Sequence, residues 1–188
     1  MFIEPYTGRK KGWIEVISGC MFSGKTEELI RRLKRVQIAG LSAEIFKPTM
    51  DVRYHPEDIV SHDASRIRST PVENPFNILI LASDVDVVGI DEAQFFDVGI
   101  VEVAEELALR GIRVIVAGLD MDYSSKPFGP MPALLARAEY ITKLHAICVK
   151  CGDIANYSYR LSKTGDQVLL GAKDSYEPRC RHCFYKVD

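Results

Sequence analysis

The residues best suited to chemistry are two glycines, a lysine and a threonine that stand close together near the start of the chain. Gly19, Gly24, Lys25 and Thr26 fit the pattern GxxxxGK[ST]. The glycines let successive backbone N–H groups point into one concavity, and the lysine and the hydroxyl add a cation and a ligand for Mg²⁺. An ordinary glycine turn before a helix is the alternative interpretation. The pattern predicts a phosphate-binding loop made of Gly19, Cys20, Met21, Phe22, Ser23, Gly24, Lys25 and Thr26.

Two adjacent carboxylates follow an apolar run further along the chain. The run from Asp86 predicts a buried strand that ends at Asp91 and Glu92. Downstream of a phosphate loop, one carboxylate at a strand end can hold Mg²⁺, and its neighbour can act as a general base. The alternative is a surface pair that caps the next helix. We predict Thr26 and Asp91 as magnesium ligands, Glu92 as the base, and Gln94 as a further residue of the nucleotide site.

Four of the five cysteines form two close pairs near the end of the chain. Cys148 and Cys151 make one CxxC pair, and Cys180 and Cys183 make the other. Four thiolates in two pairs suit a tetrahedral Zn²⁺ site, and no ligand position is left open for catalysis. A dithiol redox pair and disulfides are the alternatives, and His182 could replace one cysteine. The sequence predicts a structural zinc site.

The elements that must position these groups alternate between strand and helix, which predicts an α/β fold with a doubly wound parallel sheet. In the helix after Thr26, the basic residues Arg31, Arg32, Lys34 and Arg35 form either a solvated face, which the periodicity favours, or a nucleic-acid patch. Arg53 is either a phosphate contact or an ordinary residue of a polar loop. The other predicted elements are a strand over 43–47, a polar loop over 49–65, a short helix, or a strand, after Pro75, a helix over 98–110, a strand over 112–118, a polar loop over 119–131, a short helix over 132–138, and a last strand of the main sheet over 140–147.

The segment between the cysteine pairs has the pattern of a hairpin. Residues 155–161 and 166–171 alternate in polarity around a turn at 163–166. A hairpin tied at its base by a metal can act as a lid that excludes water from phosphoryl transfer. We therefore predict three parts: a lead-in over 1–12, a phosphate-loop α/β domain over 13–147, and a zinc-binding domain with a lasso over 148–188.

The composition excludes several classes of partner. The net charge is −2, so the whole molecule has no electrostatic bias toward nucleic acid or anionic membranes. The sequence has no run of 18 apolar residues and no signal-peptide pattern. We therefore expect a cytoplasmic protein that binds neither nucleic acid nor membrane.

Several motifs in the same order resemble one known family, the cytosolic, zinc-containing (type II) thymidine kinases. The resemblance extends from about Gly12 to Tyr185. It implies a RecA-like P-loop α/β domain with a small zinc-binding lasso domain, transfer of the γ-phosphate of ATP to the 5′-hydroxyl of thymidine, a homotetramer, and feedback inhibition by thymidine triphosphate (dTTP). The motifs are GCMFSGKTEELIRRLKR, DVRY, SHD, GIDEAQFF, LDMDYSSKPFGPM, CVKCG and EPRCRHC.

The resemblance also implies roles for individual residues. Asp51 and Arg53 would belong to the phosphate site, although Val52 stands where many members have threonine. Tyr123 would stack on the thymine, and Ser158 would lie near the thymine methyl group. The implied nucleoside contacts are Met21, Phe95, Leu119, Tyr123, Ser158, Gln167, Val168, Leu169, Leu170, Gly171 and Tyr176.

Two other functional classes fit parts of the sequence. A nucleic-acid-stimulated P-loop ATPase with a zinc ribbon would explain the phosphate loop and the cysteines, but 188 residues cannot hold two RecA-like domains. A GTPase switch would explain the loop alone, and no NKxD guanine motif is present.

Overall fold

The computed structural model of the chain describes residues 11–49, 58–60, 66–161 and 175–186. The helices are α1 (Lys25–Ile38), α2 (Asn77–Leu81), α3 (Gly99–Leu109), α4 (Met131–Arg137) and α5 (Arg181–Tyr185). The strands are β1 (Trp13–Gly19), β2 (Ala43–Pro48), β3 (Asp58–Val60), β4 (Arg66–Arg68), β5 (Thr70–Val72), β6 (Val87–Ile90), β7 (Arg113–Gly118), β8 (Tyr140–Leu144), β9 (Ala146–Ile147), β10 (Ile154–Ala155), β11 (Tyr157–Arg160) and β12 (Tyr176–Arg179).

A six-stranded sheet lies at the centre of the molecule, in the order β5-β2-β6-β7-β1-β8. Every neighbouring pair is parallel. All six residues of β7 are buried, because helices cover both faces of the sheet. The predicted α/β class is confirmed. In the described ranges, no helix combines the length and the apolar character needed to cross a membrane.

Each face of the sheet has its own apolar core. On one face, Leu29 and Leu33 of α1 pack against Ile17 and Ile115 of the central strands. On the other face, residues of α3 and α4, such as Leu107 and Leu134, pack in a larger cluster. Each core therefore attaches a helix to strands whose carboxyl ends carry the predicted site residues.

The structure departs from the predicted elements at several places, and β5, an edge strand of the central sheet, was not predicted. The polar loop predicted over 49–65 contains β3, which pairs with β4 in an antiparallel ribbon. The predicted last strand of the sheet divides, since β8 stays in the sheet and β9 pairs with β10. In the described residues β11 pairs with β12, and the other predicted arm of the hairpin, 166–171, lies outside them. Strands β3, β4, β9 and β10 are two or three residues long, which is too short for a recognisable alternation of polar and apolar residues.

A buried ion network lies inside the sheet, beneath α1. Glu15 of β1 is fully buried, and its carboxylate accepts hydrogen bonds from Trp13 Nε1 at 2.6 Å, Arg113 Nε at 2.7 Å and an Arg32 terminal nitrogen at 2.7 Å. Arg32 also bonds to Glu28 at 2.8 Å. The prediction that Arg32 belongs to the solvated face of α1 is therefore wrong. Arg32 faces the sheet, where its guanidinium pairs with the carboxylate of Glu15 on β1.

Replacing Glu15 with glutamine is expected to lower the free energy of unfolding by about 3 kcal/mol or more, because two buried arginines lose their shared counter-charge. Urea unfolding followed by circular dichroism measures this change. The matched control is Glu106→Gln, which breaks the exposed pair with Arg110 and should cost less than about 1 kcal/mol. Equal losses in the two variants would contradict a special role for the buried network.

Candidate active site and metal centre

The phosphate loop connects β1 to α1, and both of its glycines have positive φ. Gly19 has φ +151°, and a Cβ there would lie 2.3 Å from the carbonyl oxygen of Leu144. Gly24 has φ +84° and directly precedes Lys25, the first residue of α1. Because glycine has no side chain, it leaves the N-terminus of the helix open. The loop therefore brings its backbone to the N-terminus of a helix, where the helix dipole favours an anion.

Lys25 lies against the backbone of the phosphate loop to which it belongs. Its Nζ donates a hydrogen bond to the carbonyl oxygen of Cys20 at 2.8 Å. Burial lowers the pKa of Lys25, and the nearby carboxylate of Glu92 opposes this shift. A partly buried ammonium group bonded to a neutral carbonyl would gain a stronger partner in a phosphate group.

Asp91 meets the phosphate loop across the sheet. Strands β6 and β1 lie on either side of β7, so the carboxyl end of β6 points Asp91 toward the first residues of α1. Thr26 Oγ1 lies 3.3 Å from Asp91 Oδ2, and the other Asp91 oxygen accepts from the backbone N–H of Glu92 at 2.9 Å. Neighbouring ligands of an octahedral Mg²⁺ stand about 3 Å apart, so these two oxygens fit such an ion.

Glu92 has an unusual backbone conformation, with φ +52°. Its carboxylate accepts a hydrogen bond of 2.5 Å from Gln94 Nε2, and Gln94 Oε1 in turn accepts from the backbone N–H of Leu119 at 2.9 Å. Gln94 is buried, and a Cβ on Gly118 would lie 2.9 Å from Gln94 Oε1. The two hydrogen bonds that link Leu119, Gln94 and Glu92 thus hold the carboxylate of Glu92 in place.

The predicted nucleoside contacts that the structure describes lie on three loops and on the β11–β12 ribbon. Phe95 stacks edge-to-face on Phe128, with ring centroids 5.6 Å apart. The guanidinium carbon of Arg160 lies 5.0 Å from the ring centroid of Tyr123. Arg160 is directly opposite Tyr176 in the ribbon, and Ser158 is opposite Pro178. Ser158 Oγ accepts a hydrogen bond from the backbone N–H of Met21 at 3.0 Å.

Several predicted site residues lie outside the described residues. They are Asp51 and Arg53 of the polar loop, and Gln167, Val168, Leu169, Leu170 and Gly171 of the predicted lasso.

The four predicted zinc ligands come together in what we call the cysteine module, residues 146–161 and 175–186. The sulfur atoms of Cys148, Cys151, Cys180 and Cys183 all lie within 4.8 Å of one another. The sulfurs of Cys151 and Cys180 are 3.6 Å apart. Tetrahedral coordination with Zn–S bonds of about 2.3 Å places sulfurs about 3.8 Å apart, so the group has a suitable size.

The surroundings of the four thiols shift the pKa values of Cys148 and Cys183 in opposite directions. Burial opposes ionisation of Cys148, but backbone N–H groups of Cys180, Lys150 and Cys151 lower its pKa to about 6. Hydrogen bonding to Cys151, followed by burial, raises the pKa of Cys183 to about 12. A divalent cation bound by the four sulfur atoms would stabilise their thiolate forms.

Sequence reasoning missed one buried carboxylate at the same edge of the sheet. Asp120 follows β7, and one of its oxygens pairs with Lys143 Nζ at 2.8 Å. The other oxygen is buried and has no hydrogen-bond partner among the described residues. The only signal in the sequence was its place at the end of an apolar strand.

Comparison with known proteins gives one consistent result. The family model described as "Thymidine kinase" matches residues 12–184. A thymidine kinase of Porphyromonas gingivalis is 60% identical over 177 residues, which cover 94% of this chain and 87% of that protein. A thymidine kinase of Bacteroides thetaiotaomicron is 58% identical over 179 residues, covering 95% of this chain and 90% of the relative. A thymidine kinase of Rhodothermus is 61% identical over 177 residues, covering 94% and 83%.

Proposed function

Because the chain belongs to the thymidine kinase family, we propose that its phosphate loop and its strand-end acids form the site that transfers the γ-phosphate of ATP to the 5′-hydroxyl of thymidine. The products are thymidine monophosphate and ADP. The contact between Thr26 and Asp91 supports this site most directly, since it unites the two predicted halves at 3.3 Å. Neither half alone would position a nucleophile next to a triphosphate.

The triphosphate would lie along the loop of Gly19 to Thr26. Backbone N–H groups and the start of α1 would hold the β- and γ-phosphates, and Lys25 would leave the carbonyl of Cys20 for them. Asp51 and Arg53 would add contacts from the polar loop. Thr26 and Asp91 would hold Mg²⁺, directly or through water, and the ion would neutralise charge on the transferred group.

Glu92 would accept the proton of the 5′-hydroxyl as that oxygen attacks the γ-phosphorus. Its hydrogen bond from Gln94 Nε2 holds the carboxylate in place for this role. The left-handed backbone of Glu92 supports this role, since strained conformations of non-glycine residues cluster at functional sites.

The nucleoside would lie between the phosphate loop and the ribbon. Met21, Phe95 and Leu119 would form apolar walls, Tyr123 would stack on thymine, and Ser158 and Tyr176 would lie close by. The backbone of Gln167, Val168, Leu169, Leu170 and Gly171 would read the base edge.

Zinc would be held by Cys148, Cys151, Cys180 and Cys183, and it would supply a rigid tetrahedral junction rather than a reactive centre. With it, we propose the division into an α/β domain over 13–147 and a zinc-binding domain over 148–188. The resemblance of the motifs supports three further proposals: a homotetramer, inhibition by dTTP, and a cytoplasmic location.

The P-loop ATPase alternative has less support. The relatives named above are called thymidine kinases, and they align with nearly the whole of this chain. The net charge of −2 does not favour binding of a polyanion such as DNA or RNA.

Incubation with ATP, Mg²⁺ and a panel of nucleosides is expected to convert thymidine to its 5′-monophosphate at a higher kcat/KM than uridine, cytidine or purine nucleosides. Chromatography of the products measures this. ATP hydrolysis without nucleoside phosphorylation, stimulated by DNA or RNA, would favour the ATPase instead.

A further inference from the structure

Three consecutive residues of the phosphate loop contact the cysteine module. The thiol of Cys20 donates to the carbonyl oxygen of Ala155 at 3.3 Å, and Cys20 is buried. The backbone N–H of Met21 donates to Ser158 Oγ at 3.0 Å. The ring of Phe22 packs against the small cluster that contains Cys148 and Cys180. One side of the loop is thus covered by protein from a segment more than 120 residues away.

The bond to Ser158 acts on the same peptide group that Lys25 contacts. The N–H of Met21 and the carbonyl of Cys20 belong to one planar peptide, and they point in opposite directions because the bond is trans. Ser158 holds the N–H end, and Lys25 Nζ donates to the oxygen end at 2.8 Å. The orientation of this peptide therefore depends on Ser158 and determines where the ammonium group of Lys25 rests.

The next residue of the loop needs external support. Phe22 has φ +65°, a left-handed conformation that is unfavourable for a bulky side chain and persists only when the surroundings hold it. Its ring lies in the apolar cluster of the cysteine module. Contacts on residues 20, 21 and 22 together keep the loop in this shape.

The packing of β11 fixes the direction of Ser158. Side chains alternate along a strand, so Tyr157 and Tyr159 face away from Ser158. Their rings pack on Phe184 of α5, with centroids 4.7 Å and 5.9 Å away. The opposite face of the strand, with Ser158, is thereby turned toward the phosphate loop.

We propose that Ser158 is a positioning residue for ATP binding: it orients the Cys20–Met21 peptide, and through it Lys25, so that the cysteine module sets the shape of the phosphate loop. This role differs from the predicted contact of Ser158 with the thymine methyl group. It requires that the loop binds a nucleotide, but it does not depend on which nucleoside is phosphorylated.

The test measures the binding of a non-hydrolysable ATP analogue with Mg²⁺ by calorimetry in the absence of nucleoside. Ser158→Ala is expected to raise the Kd of the analogue about 3- to 10-fold, the loss of one neutral hydrogen bond. Ser69→Ala, which truncates another buried serine far from the loop in sequence, is the matched control and should leave the Kd unchanged. Zinc content and circular dichroism show whether each variant is folded.

A second variant keeps the test decisive if Ser158→Ala folds poorly. Cys20→Ala removes the thiol bond to Ala155 and is expected to raise the same Kd by about 2- to 3-fold, because a thiol is a weak donor. If the analogue binds both variants as tightly as the wild type, the inference is wrong. A rise in the KM for thymidine alone would assign Ser158 to the nucleoside instead. A chain that binds the analogue but fails to phosphorylate thymidine would refute the proposed function and leave this inference standing.

Discussion

Replacing Glu92 with glutamine is expected to lower kcat by about 10²-fold or more, while the ATP analogue and thymidine bind almost as tightly as to the wild type. Glutamine keeps the size of the side chain and an oxygen that can still accept the hydrogen bond from Gln94. It loses the basic carboxylate that would take the proton of the 5′-hydroxyl. Steady-state kinetics and calorimetry of each substrate separate the loss of chemistry from a loss of binding.

The control for this experiment is Glu102→Gln, which makes the same change at an exposed position in the first turn of α3. It should retain the wild-type kcat. If Glu92→Gln turns over within a few-fold of the wild type, another group must accept the proton. The buried carboxylate of Asp120, with one oxygen unpaired among the described residues, would then be the next residue to test.

Replacing Cys180 with serine is expected to reduce bound zinc from one equivalent per chain to far less than one, and to lower the stability of the whole chain. Cys180 is buried, its sulfur lies 3.6 Å from that of Cys151, and it accepts a hydrogen bond from the backbone N–H of Cys183 at 3.4 Å. Binding energy at a structural metal site is folding energy, so loss of the ion should loosen the cysteine module. Elemental analysis and thermal unfolding measure the two effects.

His182→Asn is the matched control, because His182 lies between the two cysteines and is the alternative ligand that the sequence leaves open. In the described residues, the sulfur of Cys183 completes the group of four within 4.8 Å. His182→Asn should therefore keep one equivalent of zinc. Full zinc content in Cys180→Ser, or its loss in His182→Asn, would show that the ligand set is different.

The phosphate loop and the acids of β6 were predictable because their chemistry depends on local order. Glycine at both bends, lysine and threonine at the helix start, and acids directly after an apolar run are all readable within a few residues. The cysteine pairs were readable for the same reason. Helical periodicity also predicted α1 and α3 to within a few residues.

The contacts that hold these groups were not predictable in the same way. Helical spacing places Arg32, but not Arg31, on the buried face with Leu33, yet nothing near it in the sequence names Glu15 as its partner. The link from Glu92 through Gln94 to Leu119 joins two loops 25 residues apart. Such partners are chosen by the packing of strands and helices, and the sequence near each residue carries no record of that choice.

The sequence by itself determined the kinds of groups that this protein brings to its chemistry: a phosphate loop, two acids, and four thiols in two pairs. Only the tertiary structure decided that the cysteine module lies against the phosphate loop and that Ser158 bonds to the N–H of Met21. The physical reason is that local patterns follow from backbone geometry and side-chain type, whereas contacts across more than 100 residues follow from how the parallel sheet and the β11–β12 ribbon pack together.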